Sequence, residues 1–234
     1  PKERVIKSCS FKDKVVQHCL CDNILLPRLK YEFIKTNYAG QLGKGTHFGM
    51  DCLKEHMLEF YNQHGLDGWI LKCDVKKFFY QIDHEVLKDI VDYYFDDEYT
   101  KWLNHLYIDS TAGLGLPLGN QVAQVYALLM LNGLDHFITG ELGVELYGRY
   151  MDDFYLIAPS KEYLKHCLDC INQFVASLGL SLNGKMTEKK FYEKYGALKN
   201  HMLHGNCVKL CHSMDEYVEK LLNKSSKTRR NKYG

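Results

Sequence analysis

The sequence lacks the features that mark several large classes of protein. No run approaches the roughly 18 consecutive apolar residues of a membrane-spanning helix, and no apolar signal-peptide segment opens the chain. Internal repeats and low-complexity tracts are also missing. We therefore expect a globular protein of mixed α and β structure with no membrane partner. The chain does not begin with Met, which predicts a processed, trimmed or partial protein.

The chain also has almost no net charge. A formal charge of +1 argues mildly against a nucleic-acid binder, because affinity for polyanions comes from clustered Lys and Arg. The charge is nevertheless uneven: both ends of the chain are basic, and carboxylates gather in residues 92–98. Basic ends around an acidic centre suit a metal site that binds a polyanion, although ordinary solvated surface charge explains this distribution as well. The nine Cys are odd in number and scattered, which favours a reduced, intracellular protein.

Hydrophobic periodicity and turn residues predict an α+β protein. One apolar strand and one hairpin alternate with amphipathic helices, an order that resembles a split βαβ-type sheet with helices on one face. The two Gly-rich loops cover residues 40–49 and 111–120. The predicted helices cover 13–29, 50–62, 84–94 (capped by Asp83), 121–138 and 161–178, the strand covers 69–75, and the hairpin covers 147–159.

The most informative stretch is Tyr150-Met-Asp-Asp153, at the expected tip of the hairpin. Side chains alternate along a strand, so two neighbouring Asp converge on one place only where the chain turns sharply. A polar tip on apolar strands is well suited to present carboxylates to a divalent metal. Asp74 lies near the end of the predicted strand, and pairing that strand with the hairpin would gather three carboxylates. A helix cap or a salt bridge with Lys76 or Lys77 is the alternative role of Asp74.

Several motifs resemble those of bacterial reverse transcriptases, in order, from the first residue to about residue 187. They are Pro1-Lys-Glu-Arg-Val-Ile6 with Ser10-Phe-Lys-Asp-Lys-Val-Val-Gln-His18, Gly43-Lys-Gly-Thr-His47, Lys72-Cys-Asp-Val-Lys-Lys-Phe-Phe79, Gly115-Leu-Pro-Leu-Gly-Asn120 and Leu131-Asn-Gly-Leu-Asp-His-Phe137. The chain is most similar to the diversity-generating retroelement branch, which is related to group II intron and retron enzymes.

The resemblance implies a right-hand polymerase fold. Its palm would be a ferredoxin-like antiparallel sheet beside helical fingers, and its thumb would be short or absent. The implied boundaries are 1–68 for the fingers, 69–91 for the first part of the palm, 92–116 for a fingers/palm connection, 117–205 for the rest of the palm, and 206–234 for the start of a thumb or a flexible basic tail.

The resemblance also implies a metal site. Asp74, Asp152 and Asp153 would be catalytic and, together with Val75, would bind two Mg²⁺ ions, for which Mn²⁺ can substitute. Two such ions can activate an attacking hydroxyl and stabilise the leaving oxygen of a phosphoryl transfer. Mg²⁺ prefers hard oxygen ligands, which these carboxylates supply.

A second set of residues would contact the incoming deoxynucleotide. Phe79 matches the steric gate that rejects a 2′-hydroxyl, because a rigid aromatic wall clashes with one added oxygen. The neighbouring Phe78 would take that role if the register slips by one residue. Arg4 and Lys2 match the fingers cations that hold the triphosphate. The other implied nucleotide contacts are Val75, Pro117, Leu118 and Gly119.

Leu118 stands where many reverse transcriptases carry Gln, and an aliphatic residue there is typical of the error-prone branch. We therefore expect misincorporation, especially opposite template adenine. Three departures from the family's pattern leave its exact branch open. The usual Phe-Leu-Gly turn after the fourth palm motif is absent, and residues 195–207 stand there instead. Ala123 replaces the usual Ser, and Met186 replaces the Lys thought to protonate the leaving pyrophosphate, with Lys185 or Lys189 as substitutes.

The function implied is RNA-directed DNA synthesis in a bacterial or phage-encoded cytoplasmic enzyme. Its partners would be an RNA template, a DNA or RNA primer, deoxynucleoside triphosphates and a small basic accessory protein. The alternatives are a defence-associated or untemplated polymerase and a non-catalytic nucleic-acid-binding scaffold. A zinc site built on Cys167 and Cys170 with downstream His and Cys is a further alternative, but Cys in a helical pattern is more often core.

Overall fold

A small sheet of four strands organises the described part of the chain. The computed structural model describes residues 9–183 and the backbone of residues 187–190. The predicted phosphate contacts Lys2 and Arg4, the departure at Met186, and the segment 206–234 lie outside the described residues. The domain boundaries given above stay predictions.

Four strands form this sheet in the order β2-β3-β1-β4, and every pair of neighbours is antiparallel. Helices connect β1 to β2 and β3 to β4, which is the ferredoxin-like arrangement expected of the palm. The predicted strand and hairpin are confirmed, although the strand ends one residue earlier than expected. The strands are β1 (Trp69–Asp74), β2 (Leu146–Tyr150), β3 (Asp153–Ala158) and β4 (Thr187–Lys190).

All five predicted helices are present, with differences at their ends and in their regularity. Helix 13–29 is interrupted by a π-helical segment, Cys21–Leu25, and helix 121–138 is interrupted at Leu131 before a second π-helical segment, Phe137–Glu141. The helices are α1 (Phe11–Leu20), α2 (Leu26–Leu29), α3 (Thr46–His64), α4 (Phe78–Gln81), α5 (His84–Tyr94), α6 (Glu98–Ile108), α7 (Gln121–Met130), α8 (Asn132–His136) and α9 (Lys161–Ser177).

Polar side chains fix the beginnings of the helices that border the sheet. Asp83 caps α5 by accepting from the backbone N–H groups of Glu85 and Val86, as predicted. Ser160 caps α9 in the same way through the N–H of Tyr163. Because the first N–H groups of a helix have no partner within it, these side chains determine where α5 and α9 start.

The expectation that helices cover one face of the sheet is wrong. Leu71 and Cys73 of β1 point into the main core with α7 and α9, whereas Ile70 points to the opposite face and packs with Met57 and Phe60 of α3. An amphipathic pattern shows that α3 buries one side, but it does not show which face of the sheet receives it. Helix α3 therefore covers part of the face on which Asp74 lies.

The segment before α3 joins the edge of the sheet directly. Asn37 forms an isolated parallel bridge with Arg149 of β2. Gly148 allows this close approach, because a Cβ there would lie 1.9 Å from the Tyr38 hydroxyl oxygen. Among the described residues, no helix combines the length and the apolar character needed to cross a membrane.

Candidate active site

A two-residue turn forms the tip of the hairpin. Tyr150, the last residue of β2, pairs with Asp153, the first residue of β3, so that Met151 and Asp152 alone make the connection. Met151 has a φ of 54°, in the left-handed region that non-glycine residues seldom occupy. The tight hairpin tip predicted from the sequence is confirmed, and its sharpness depends on the unusual backbone of Met151.

The end of β1 meets this turn. Asp74 is the cross-strand partner of Asp153, and the backbone N–H of Val75 donates to the carbonyl oxygen of Asp152 at 3.2 Å. Cross-strand partners project from the same face of a sheet. The structure therefore brings the backbones of the three predicted carboxylates and of Val75 to one place.

Two other side chains contact the carboxylates. The Lys72 amino group lies 3.1 Å from an oxygen of Asp153, and both side chains are about half exposed (53% and 51%), so solvent screening makes this ion pair weak. The side-chain amide of Asn183 donates to Asp74 at 3.0 Å, and its backbone N–H donates to the Asp74 carbonyl at 2.7 Å. Asn183 thereby orients Asp74 from the segment that leads to β4.

The donor type fits magnesium, but the side chains do not form a complete cage. Within residues 9–183, no group of three or more His, Cys, Asp or Glu is arranged to hold a metal. Mg²⁺ usually takes one or two protein carboxylates and completes its octahedral shell with water and substrate phosphates. Asp74 and Asp152 are candidates for that role, and Asp153 shares one of its two carboxylate oxygens with Lys72.

The predicted steric gate lies just beyond β1. Helix α4 begins after Lys77, whose φ of 46° turns the chain, and places Phe78 and Phe79 at its start. Phe78 is only 2% exposed and belongs to the main core, whereas Phe79 is partly buried. The alternative in which Phe78 lines the nucleotide pocket would require a core side chain to leave its packing. Phe79 remains the predicted gate.

The second Gly-rich loop is fixed to the backbone of α4. The N–H of Leu116 donates to the carbonyl of Phe79 at 2.7 Å, and the N–H of Gly115 donates to that of Ile82 at 2.8 Å. Pro117, predicted to contact the nucleotide, is buried directly after this contact, and its neighbours Leu118 and Gly119 are progressively more exposed. The structure therefore places the segment that carries Pro117, Leu118 and Gly119 directly after a backbone contact with Phe79.

His84 supports this connection and was not identified from the sequence. Its Nε2 lies 2.8 Å from the carbonyl oxygen of Gly115, and its Nδ1 lies 3.4 Å from Asp109, which also binds Lys88 at 2.9 Å. The Asp109 pKa is lowered, mainly by the hydrogen bond from Lys88. The sequence places His84 directly after the helix cap Asp83, but no local pattern predicts that its side chain contacts the carbonyl oxygen of Gly115.

A cavity of about 270 Å³ opens between α3 and the sheet beside the carboxylates. Met50 and Ile70 supply apolar lining, and Tyr38 supplies the end of a hydrogen-bond chain. The hydroxyls of Tyr38 and Tyr155 are 2.7 Å apart, and that of Tyr155 lies 3.0 Å from Nδ1 of His56. Burial raises the pKa of both phenols above their ordinary value and lowers the pKa of His56. The three hydrogen-bonded side chains are therefore uncharged at neutral pH.

The cysteines do not form a zinc site within the described residues. Cys167 is completely buried on α9, as expected of a core residue, and Cys170 is partly exposed on the same helix. The remaining candidate ligands in 201–212 lie outside the described residues.

Comparisons with known proteins agree with this architecture. A family model described as reverse transcriptase (RNA-dependent DNA polymerase) matches residues 1–195. The chain shows no significant match to any curated protein. It is similar to the apo telomerase of Candida tropicalis, with a TM-score of 0.59, 14% identity, and coverage of 75% of this chain and 36% of that one.

A second similar structure is the telomerase of Candida albicans in complex with a TWJ fragment of telomeric RNA. It has a TM-score of 0.54, 12% identity, and coverage of 75% of this chain and 33% of that one. At these identities the likeness shows the fold alone, and it confirms the right-hand polymerase fold. The chain spans about a third of the length of these two structures.

Proposed function

We propose, because the chain belongs to the reverse transcriptase (RNA-dependent DNA polymerase) family, that it copies an RNA template into DNA. That family consists of nucleotidyltransferases. The observation that carries the proposal is the meeting of β1 with the hairpin tip, through the Asp74–Asp153 pairing and the hydrogen bond from Val75 to Asp152. An RNA template, a primer and deoxynucleoside triphosphates would be its partners.

The reaction would join a primer 3′-hydroxyl to the α-phosphorus of a deoxynucleotide and release pyrophosphate. Bound Mg²⁺ would supply activation of the hydroxyl and neutralisation of the phosphate charge. Asp74 and Asp152 would hold the metal, with the Val75 carbonyl and Asp153 beside them. Each carboxylate contributes a hard, anionic oxygen at the exposed edge of a rigid strand pairing, which suits a site that also admits phosphates.

The chain's other residues would select the nucleotide. Phe79 would stand against the sugar and exclude a 2′-hydroxyl, and Leu118 would contact the base pair. Arg4 and Lys2 would bind the triphosphate. An aliphatic Leu118 supports placement in the error-prone diversity-generating retroelement branch, in a bacterial or phage-encoded cytoplasmic system with a small basic accessory protein.

Primer extension tests the proposal. The chain should extend oligo-dT on poly-rA with dTTP and Mg²⁺, whereas Asp152→Asn should abolish extension because it removes an anionic ligand. Asp169→Asn is the matched control, since Asp169 is exposed on α9, outside the proposed site. Wild-type and control proteins should extend equally.

Two outcomes would contradict the proposal. No extension by the folded wild-type chain, with Mg²⁺ or Mn²⁺, would favour a non-catalytic nucleic-acid-binding scaffold. Equal product with the template omitted would favour an untemplated or defence-associated polymerase.

A further inference from the structure

A completely buried ion pair lies behind the hairpin tip. Asp135 of α8 and Arg149 of β2 are both 0% exposed. The two nitrogens Nε and Nη2 of Arg149 donate to the two carboxylate oxygens of Asp135 at 2.7 and 2.6 Å. Removing two charges from water is costly, and apolar residues of similar volume are often at least as stabilising. Stability alone therefore does not account for this pair.

The third nitrogen of Arg149 contacts the turn itself. Nη1 donates to the carbonyl oxygen of Met151 at 2.8 Å, while Nη2 also donates to the carbonyl oxygen of Leu128 on α7 at 3.3 Å. The Met151 carbonyl belongs to the peptide plane that carries the N–H of Asp152. Because a peptide unit is planar, holding that oxygen fixes the direction in which Asp152 leaves the turn.

Arg149 also stabilises an unusual backbone. Met151 has a positive φ, which costs a non-glycine residue of ordinary chirality some energy and persists only when its surroundings hold it. A guanidinium with all its nitrogens engaged is a rigid support, because its donors lie in one plane. Lys could not make the same contacts, since its single ammonium cannot span both oxygens of Asp135 and the Met151 carbonyl.

The carboxylate of Asp135 is held in turn from two directions. The hydroxyl of Tyr147 donates to it at 2.7 Å, and the side-chain amide of Asn37 lies 3.4 Å away. The backbone of Arg149 is fixed as well: its N–H donates to Thr36 at 3.0 Å, and its carbonyl accepts from Tyr38 at 2.9 Å. The segment before α3 is thus joined to the support of the turn.

We propose that Arg149, oriented by Asp135, is a positioning residue that sets Asp152 through the Met151 carbonyl. Neither residue would touch the nucleotide or the metal. This inference rests on the proposed function for its catalytic consequence, but its effect on metal binding can be measured without catalysis.

The decisive variant is Asp135→Asn combined with Arg149→Met. It removes both buried charges together, so that no lone charge remains in the core, and the amide oxygen can still accept from Tyr147. Residues that orient metal ligands from behind typically change metal affinity or activity by about 10–100-fold. We expect a loss of that size in Mn²⁺ affinity, measured by electron paramagnetic resonance titration, and in the rate of primer extension.

The control separates positioning from general loss of stability. Tyr126→Phe removes another buried hydrogen bond, of 2.7 Å to Asn104, that does not contact the turn. It should leave Mn²⁺ affinity unchanged. Circular dichroism would establish that each protein is folded at the temperature of the titration.

Unchanged Mn²⁺ affinity in the folded double variant would overturn the inference, whatever the activity. If the double variant does not fold, Arg149→Lys decides: it retains the buried charge balance, and wild-type Mn²⁺ affinity in it would also overturn the inference. A wild-type chain that binds Mn²⁺ without extending a primer would contradict the proposed function and leave the binding comparison intact.

Discussion

Replacing Gly115 by Ala should disturb the contact between the second Gly-rich loop and α4. Gly115 has a φ of 90°, and a Cβ there would lie 2.7 Å from the carbonyl oxygen of Phe79 and 2.8 Å from the Cα of Tyr80. Both neighbours are backbone atoms of α4, so no side chain can rotate away. The backbone of residue 115 cannot easily shift away from α4 either, because its N–H is hydrogen bonded to Ile82 and its carbonyl to His84.

Gly113 offers a matched control in the same loop. Its φ of 80° is similar, but a Cβ there would meet nothing within 4 Å. Gly113→Ala therefore carries only the conformational cost, about 1–2 kcal/mol for a left-handed backbone, reduced by about 0.4–1 kcal/mol because Ala restricts the unfolded chain. Gly115→Ala adds an overpacking cost of about 1–3 kcal/mol. We expect it to be less stable than the control by about 2 kcal/mol.

Urea denaturation of the two variants and the wild-type chain measures this difference. A second measurement is the preference for dATP over ATP in primer extension, since moving α4 moves Phe79; the Gly115 variant should discriminate less well than the control. If the two variants have free energies of unfolding within about 0.5 kcal/mol of each other, the close approach of the loop to α4 does not constrain the protein as argued.

Two further predictions concern His56 and Leu118. Burial lowers the pKa of His56, so as pH falls through the unfolded-state value of about 6.5 the unfolded chain binds a proton that the folded chain does not. The free energy of unfolding should therefore fall as the pH is lowered from about 7 to about 5. His56→Gln should reduce that fall. If urea denaturation shows the same fall in the variant and the wild type, His56 is not its cause. Leu118→Gln should lower misincorporation opposite template adenine, measured by sequencing the products against wild type, and an unchanged error spectrum would remove Leu118 as its cause.

The sequence predicts local elements well where one periodicity dominates. The strand that ends at Asp74, the cap at Asp83 and the turn at Tyr150–Asp153 each follow from neighbouring residues, because alternation, capping and turn formation act over a few positions. The resemblance to a family then supplied the pairing of Asp74 with the turn. No local pattern contains that pairing, since strand register depends on contacts between distant segments.

The position of α3 shows what the sequence could not supply. Its apolar side predicted a buried face, yet Met57 and Phe60 pack on the side of the sheet opposite the main core. Both faces of β1 carry apolar residues, as Ile70 and Leu71 do, so either face could have received the helix. The choice depends on the path of the chain through residues 30–45, where no periodic pattern is present.

The buried pair behind the turn was hidden for a different reason. Charged residues are almost never fully buried unless they are paired, so Asp135 and Arg149 read as surface residues until their partner is known. Their burial explains how an open site can have a defined geometry. Asp153 and Lys72 are half exposed and free to exchange partners with solvent and substrate, whereas the backbone that carries Asp152 is held from the interior. The buried pair holds the turn in place, whereas the exposed side chains can adapt to solvent and substrate. Substitutions in this buried pair should therefore alter the proposed metal binding by moving the turn.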